Sequence, residues 1–254
     1  MNQIWINSKN NYLSAISNGI DYSNKKKAVF ILPGFYQAKC DSYYFVTNFL
    51  MRLKKNNIYA ISADLLGHGD SYGDISDITI DNLSEGISDI VNYLKKQGVE
   101  SIYAIGRGLS GNILTYKNTS DFKNIILINP VLLDFEDKDN LNNWMEELKE
   151  DKVCIYSFFL ENNSNILKLF GTETENIRGE FLKKVFLQQI VTLPYFEIGD
   201  IVKKQNNHIF ITEDWKQHYK VDLQDYSELL SEYKFCNYND RIKLSDDIIE
   251  LLED

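Results

Sequence analysis

Residues 105–111 read Ile105-Gly106-Arg107-Gly108-Leu109-Ser110-Gly111, three glycines and a serine set between an apolar run and a helical pattern. Two chemistries call for such a turn. A nucleophilic serine can be held at its apex, where an imidazole takes the hydroxyl proton and a carboxylate orients the imidazole. Alternatively, the amides that open the following helix can receive a carboxylate or phosphate that is never attacked, with Arg107 beside it. The stretch is a loose echo of G-x-G-x-x-G and lacks a P-loop lysine, which argues against a nucleotide cofactor; no other cofactor and no metal is indicated.

Partners for such a serine are scarce, because the chain has only three histidines. His68 lies in a glycine-rich turn, where a structural role is expected. His208 begins an apolar run and reads as its solvated start. His218 lies in the loop after that run, and its plain reading is an exposed side chain. Glu213 and Asp214 end the same run and are the nearest candidates for an orienting acid. Cys40, Cys154 and Cys236 are far apart, with no C-x-x-C and no neighbouring histidine, so neither a disulfide framework nor a zinc site is indicated. Cys40 reads as an inert thiol for the same reason.

The elements that must position these residues are legible from periodicity. Ile4 to Ile6 and Tyr12 to Ile16 predict a small antiparallel hairpin at a sheet edge. Ala28 to Leu32 is a continuous apolar run stopped by Pro33-Gly34, as in a strand buried on both faces. A helix over Tyr43 to Lys55, a strand over Ile58 to Ala63 and a helix from Ile80 to Leu94 follow, the last closed by Gly98. Ser101 to Ile105, Leu109 to Tyr116 and Ile125 to Asn129 continue the strand–helix–strand alternation, which specifies a mostly parallel, doubly wound α/β sheet. From about residue 139 to 204 the pattern turns helical, apart from the ambiguous run Val153 to Leu160, and predicts an inserted helical cap. Strands are expected again at Ile209 to Thr212 and Tyr233 to Cys236, then a closing helix over Asp246 to Leu252.

Composition narrows the function classes. A chain of 254 residues, 44% hydrophobic, suits one domain over residues 1–254. Its 27 basic against 37 acidic residues give a net charge of −10, which repels nucleic acid and anionic membranes alike. The single tight cationic run, Lys25 to Lys27, precedes a strand. No basic-then-apolar leader opens the sequence and no run approaches the ~18 apolar residues of a membrane span, so a soluble, cytoplasmic protein is expected.

Three segments in order carry a family resemblance. Leu32-Pro33-Gly34-Phe35 follows the first buried strand, Asp64-Leu65-Leu66-Gly67-His68-Gly69-Asp70-Ser71 the second, and Gly106 to Gly111 the third. Together they resemble the oxyanion loop, the D-x-x-G-x-G-x-S turn and the G-x-S-x-G nucleophile elbow of the α/β-hydrolases, a family of serine esterases and acyl hydrolases. The resemblance implies the α/β-hydrolase fold, with a nucleophile, an acid and a histidine in that chain order.

The elbow departs from the family pattern. Aligning Gly106 with the first glycine places Gly108 at the nucleophile; sliding by two makes Ser110 the nucleophile but leaves Asn112 where glycine belongs. After the last strand, Asn239 or Asp240 stands where the resemblance implies the histidine. The first register implies a protein without serine-hydrolase catalysis that binds a small acyl or carboxylate ligand, or a protein partner, through Gly34, Phe35, Arg107, Gly108 and Leu109. The second implies an active esterase, thioesterase or acyltransferase using Ser110 with His218 and Asp214. A third reading is a non-covalent lyase in which His68 or Asp64 is the acid or base.

Overall fold

The computed structural model describes residues 1–21, 26–40, 42–116, 119–132, 139, 142, 143, 145, 146, 149, 151–154, 181–192, 207–216 and 231–253. Strands β1 (Asn2–Ser8) and β2 (Asn11–Ser17) form the antiparallel hairpin, turned by Lys9 and Asn10 at φ 45° and 65°, the left-handed pair that a tight two-residue hairpin loop needs. Then β3 (Lys27–Leu32), β4 (Tyr59–Ala63), β5 (Ser101–Arg107), β6 (Asn124–Ile128) and β9 (Asn207–Phe210) join them in one seven-stranded sheet of order β1-β2-β4-β3-β5-β6-β9. The β3–β4, β3–β5, β5–β6 and β6–β9 pairs are parallel.

Helices cover both faces because the central strands are apolar on both. Helices α2 (Ile80–Lys96) and α3 (Leu109–Leu114) pack with Phe30, Ile61 and Leu127 on one side. On the other, α1 (Phe45–Lys55) packs with Val29, Ile105 and Ile126 and with Leu244, Ile248 and Leu252 of the last helix, α6 (Tyr238–Glu253). The start of α2 is fixed by a capping box: the Thr79 hydroxyl accepts from the Asn82 amide and the Asn82 side chain accepts from the Thr79 amide. Its end is released by Gly98 at φ 87°.

Part of the expected cap, residues 155–180 and 193–204, lies outside the described residues. Its described part departs from a purely helical pattern. β7 (Lys152–Cys154) and β8 (Phe181–Lys183) form a separate antiparallel pair, and only then does α4 (Lys184–Thr192) begin. A three-residue apolar piece has no period, so sequence could not separate strand from helix there. Helix α4 is docked by its side chains: Gln189 accepts from the Ile80 amide and donates to Asp81, tying α4 to the first turn of α2.

Two further expectations are corrected. Tyr233 to Cys236 is no strand; Ser231 and Tyr233 exchange backbone hydrogen bonds with Ile211 and Glu213, and residues 234–237 then turn away. α6 begins at Tyr238, well before Asp246, because the Asn237 side chain accepts from the amides of Asn239 and Asp240 and caps it. Among the described residues no helix is long and apolar enough to cross a membrane.

Candidate functional site

The turn from β5 to α3 is built around close backbone contact. A Cβ on Gly106 would stand 2.6 Å from the Gly111 Cα, and one on Gly111 would stand 3.0 Å from the Gly106 carbonyl oxygen, so only glycine lets the strand end lie against the helix. Between them Gly108 takes φ 56°, ψ −140°, at the apex and immediately before Leu109, the first helical residue. That region of backbone space is nearly reserved for glycine. The Gly108 amide donates to the Ile128 carbonyl at 3.0 Å, which fixes the apex to the neighbouring strand. Ser110 is therefore inside the first turn of α3, buried, and two residues past the apex.

Leu109 is fully buried in the core, so what it can offer a ligand is its amide, not its side chain. Arg107 is also buried, and its guanidinium is enclosed. A Cβ on Gly34 would stand 2.5 Å from its Nη2, and its Cζ lies 4.8 Å from the centroid of the Phe235 ring. Arg107 thus wedges the β3 loop against the segment before α6. Phe35 is stacked on Phe186 of α4 at 5.4 Å and meets the His68 ring edge-on at 5.1 Å.

The turn after β4 is organised by Asp64, whose side chain is wholly buried. Its carboxylate accepts from the Lys39 amide, from Lys39 Nζ at 2.8 Å and from the Asp70 amide at 3.0 Å. Lys39 Nζ also reaches Asp70 at 2.6 Å. With its lone pairs so engaged, Asp64 ties the β3 loop to the β4 turn and is poorly placed to move protons. His68 is buried, and burial pushes its pKa below the ordinary value despite the Leu66 carbonyl 2.9 Å from Nδ1 and the charge of Asp64. Neutral imidazole facing a carbonyl through Nδ1 must carry its proton there, which leaves Nε2 as an acceptor.

At the C-terminal edge, α5 (Glu213–Lys216) follows β9. Burial resists ionisation of Asp214, but hydrogen bonds from the amides of Phe235 and Cys236, each 2.9 Å away, and from the Thr212 hydroxyl at 2.7 Å hold its carboxyl below the usual range. Cys236 is exposed as a residue, and desolvation of its thiol together with the neighbouring Asp214 carboxylate pushes the thiol pKa up. Cys236 is the residue that sequence reasoning missed, for no local motif marks a thiol twenty-two residues from its acid. Glu213 turns instead to Lys216. Asp240 accepts from the Lys234 amide, and Asn239 lies in the first turn of α6; neither is hydrogen-bonded to Asp214. His208 sits on β9 beside Asn124, at 3.3 Å. His218 lies outside the described residues.

Gly34, Phe35, Gln37, His68 and Ser110, with Leu32 and other apolar neighbours, line a cavity of about 10 Å³. Among the described residues no group of three or more His, Cys, Asp or Glu is placed to hold a metal ion.

No family model matches the sequence, and no curated protein sequence does. Solved structures do. Est1E from Butyrivibrio proteoclasticus with ferulic acid bound superposes at a TM-score of 0.64 and 16% identity, over 98% of this chain and 97% of that one. A soluble variant of the Saccharomyces cerevisiae monoglyceride lipase, in complex with a substrate analogue, gives 0.61 at 11% identity over 98% and 94%. The thioesterase domain from the curacin biosynthetic pathway gives 0.60 at 12% over 100% and 99%. The chain has the α/β-hydrolase fold. The sharp turn between its central strand β5 and helix α3 has Gly108 on its apex.

Proposed function

We propose that this α/β-hydrolase-fold protein does not perform serine-hydrolase catalysis and uses the cleft between sheet and cap to bind a small acyl or carboxylate ligand. The observation that carries the reading is Gly108 at φ 56°, ψ −140° on the apex of the elbow, with no side chain where the mechanism needs a hydroxyl. The remaining parts support it. Asp214 matches the acid in chain order, and its carboxylate is engaged by loop amides and the Thr212 hydroxyl where an imidazole would be oriented. Serine in the family's place gains nucleophilicity only from an adjacent base, and an apex without a hydroxyl offers such a base nothing to activate. The acyl class is supported by the ferulic acid held by Est1E and by the lipase and thioesterase among the structural neighbours.

The test has two arms. A fluorophosphonate probe should leave the protein unlabelled and short nitrophenyl esters should be cleaved no faster than in buffer, whereas stoichiometric labelling of Ser110 would overturn the reading. Thermal-shift screening with fatty acids, acyl esters and small carboxylates should find at least one stabilising class. Silence across all of them would favour a protein partner instead.

A further inference from the structure

Strand β1 ends the order of the seven-stranded sheet, and it carries none of the features that guard such an edge in other proteins. Its residues, Asn2-Gln3-Ile4-Trp5-Ile6-Asn7-Ser8, include no charge and no proline, and they pair with β2 in one unbroken register without a bulge. Where its backbone groups point follows from β2. Ser14 donates its amide to the Ser71 hydroxyl at 2.8 Å, and the carbonyls of Ser14 and Tyr12 accept from the amides of Asp64 and Tyr72, so these residues face away from β1. The ladder to β1 therefore runs through Leu13 and Ala15, which stand opposite Ile6 and Ile4. Backbone direction alternates along a strand, so Gln3, Trp5 and Asn7 aim both N–H and C=O out of the sheet edge. Their side chains share the exposed face, where Trp5 is 53% exposed.

The strand is also chemically symmetric about Trp5: Ile4 answers Ile6, Gln3 answers Asn7, and Asn2 answers Ser8. We propose that β1 is a self-association edge whose occupant is β1 of a second copy, paired antiparallel across a two-fold axis at Trp5. Such a contact must be self-complementary, and this register is so at every position. Gln3, Trp5 and Asn7 each donate one N–H and accept at one C=O across the axis. The two Trp5 side chains meet, the side-chain amides of Gln3 and Asn7 oppose one another, and Ile4 meets Ile6 on the face that packs toward α2. A slip of one residue would join the exposed face of one copy to the core-packing face of the other, and a slip of two would set Trp5 against an amide. Lys9, just beyond the strand, is paired with Glu85 and brings no bare charge to the contact. Two paired strands about 24 Å long bury less than the ~1,200 Å² of a stable interface. Two copies of net charge −10 also repel each other. The dimer is therefore a weak one that grows with protein concentration and with salt. The inference does not rest on the binding role proposed above.

Sedimentation equilibrium of the full chain, from low to high micromolar concentration and at low and high salt, should show a monomer–dimer equilibrium that both variables push toward dimer. Trp5→Lys sets two like charges face to face at an exposed position and should weaken association at least about tenfold. Gln3→Pro removes an outward N–H without touching the ladder to β2, and should weaken it as well. Melting temperatures measured on dilute protein should match the parent for both variants, which separates association from folding. In the parent protein the amides of Gln3, Trp5 and Asn7 should gain protection from hydrogen exchange as concentration rises, a readout that needs no variant. A chain that stays monomeric throughout overturns the inference, and so does a dimer that forms without protecting those amides. A dimer that Trp5→Lys breaks but Gln3→Pro leaves intact would be held by side chains alone and would overturn the edge pairing.

Discussion

Replacing Gly108 by alanine adds one methyl group at a backbone position of φ 56°, ψ −140°. A residue with a Cβ held in so sparse a region costs about 1–3 kcal/mol. Against that, alanine leaves the unfolded chain less entropy to lose, which returns about 0.4–1 kcal/mol, so the net loss should be about 1–2 kcal/mol. For a chain of this length that lowers Tm by about 2–8 °C. Two controls separate strain from collision. Gly98 has φ 87° and open space where a Cβ would go, so Gly98→Ala reads backbone strain alone. Gly106→Ala drives a Cβ to within 2.6 Å of Gly111 and Leu114 and should cost more than either, at least about 1–3 kcal/mol of overpacking. The assay is calorimetric melting of the three variants beside the parent protein. Gly108→Ala as stable as the parent would refute the placement of residue 108 at a strained apex. Gly108→Ser should lose about the same stability and remain inactive on nitrophenyl esters, since among the described residues no imidazole is hydrogen-bonded to Asp214 to serve as its base. Adding Cys236→His sets an imidazole beside Asp214, and slow ester cleavage should then emerge.

Other consequences follow from the same geometry. Lys39→Met leaves the Asp64 carboxylate buried without its cation and should cost about 3–5 kcal/mol in denaturant unfolding, whereas Asp70→Asn removes an exposed partner and should cost less than about 1 kcal/mol. Asp214 has its folded pKa depressed, so its stabilising contribution is present above its ordinary value of 3.8 and is lost as pH falls through the folded pKa; the stability gap between the parent and Asp214→Asn should narrow below pH 3.8 and persist at neutrality. His68 is the opposite case, a base held neutral: the unfolded chain takes up a proton that the folded one refuses, so stability should decline as pH drops below 6.5, and His68→Gln should flatten that slope. Phe186→Ala, which unstacks Phe35 and empties a fully buried position, should cost about 3–5 kcal/mol in the same assay.

What the sequence determined by itself is the part of the protein fixed by near neighbours in the chain. Continuous apolar runs make β3 to β6 strands whatever packs on them, the period of Ile80 to Leu94 makes α2 a helix, and Gly106, Gly108 and Gly111 can be read as a turn because only glycine satisfies its backbone. The same local rules miss what depends on chain segments far apart. Arg107, exposed to a ligand on the sequence reading, is enclosed by Gly34 and Phe235. Asp64 meets Lys39 across twenty-five residues, Asp214 meets Cys236 across twenty-two, and Phe35 meets Phe186 of α4. Spacing along a strand or helix encodes which face a side chain occupies, but not which distant loop will be folded against it. That choice is made by sheet order and the docking of α4, and it is why the glycine apex was legible in the sequence while the residues that fill the space around it were decided only by the tertiary structure.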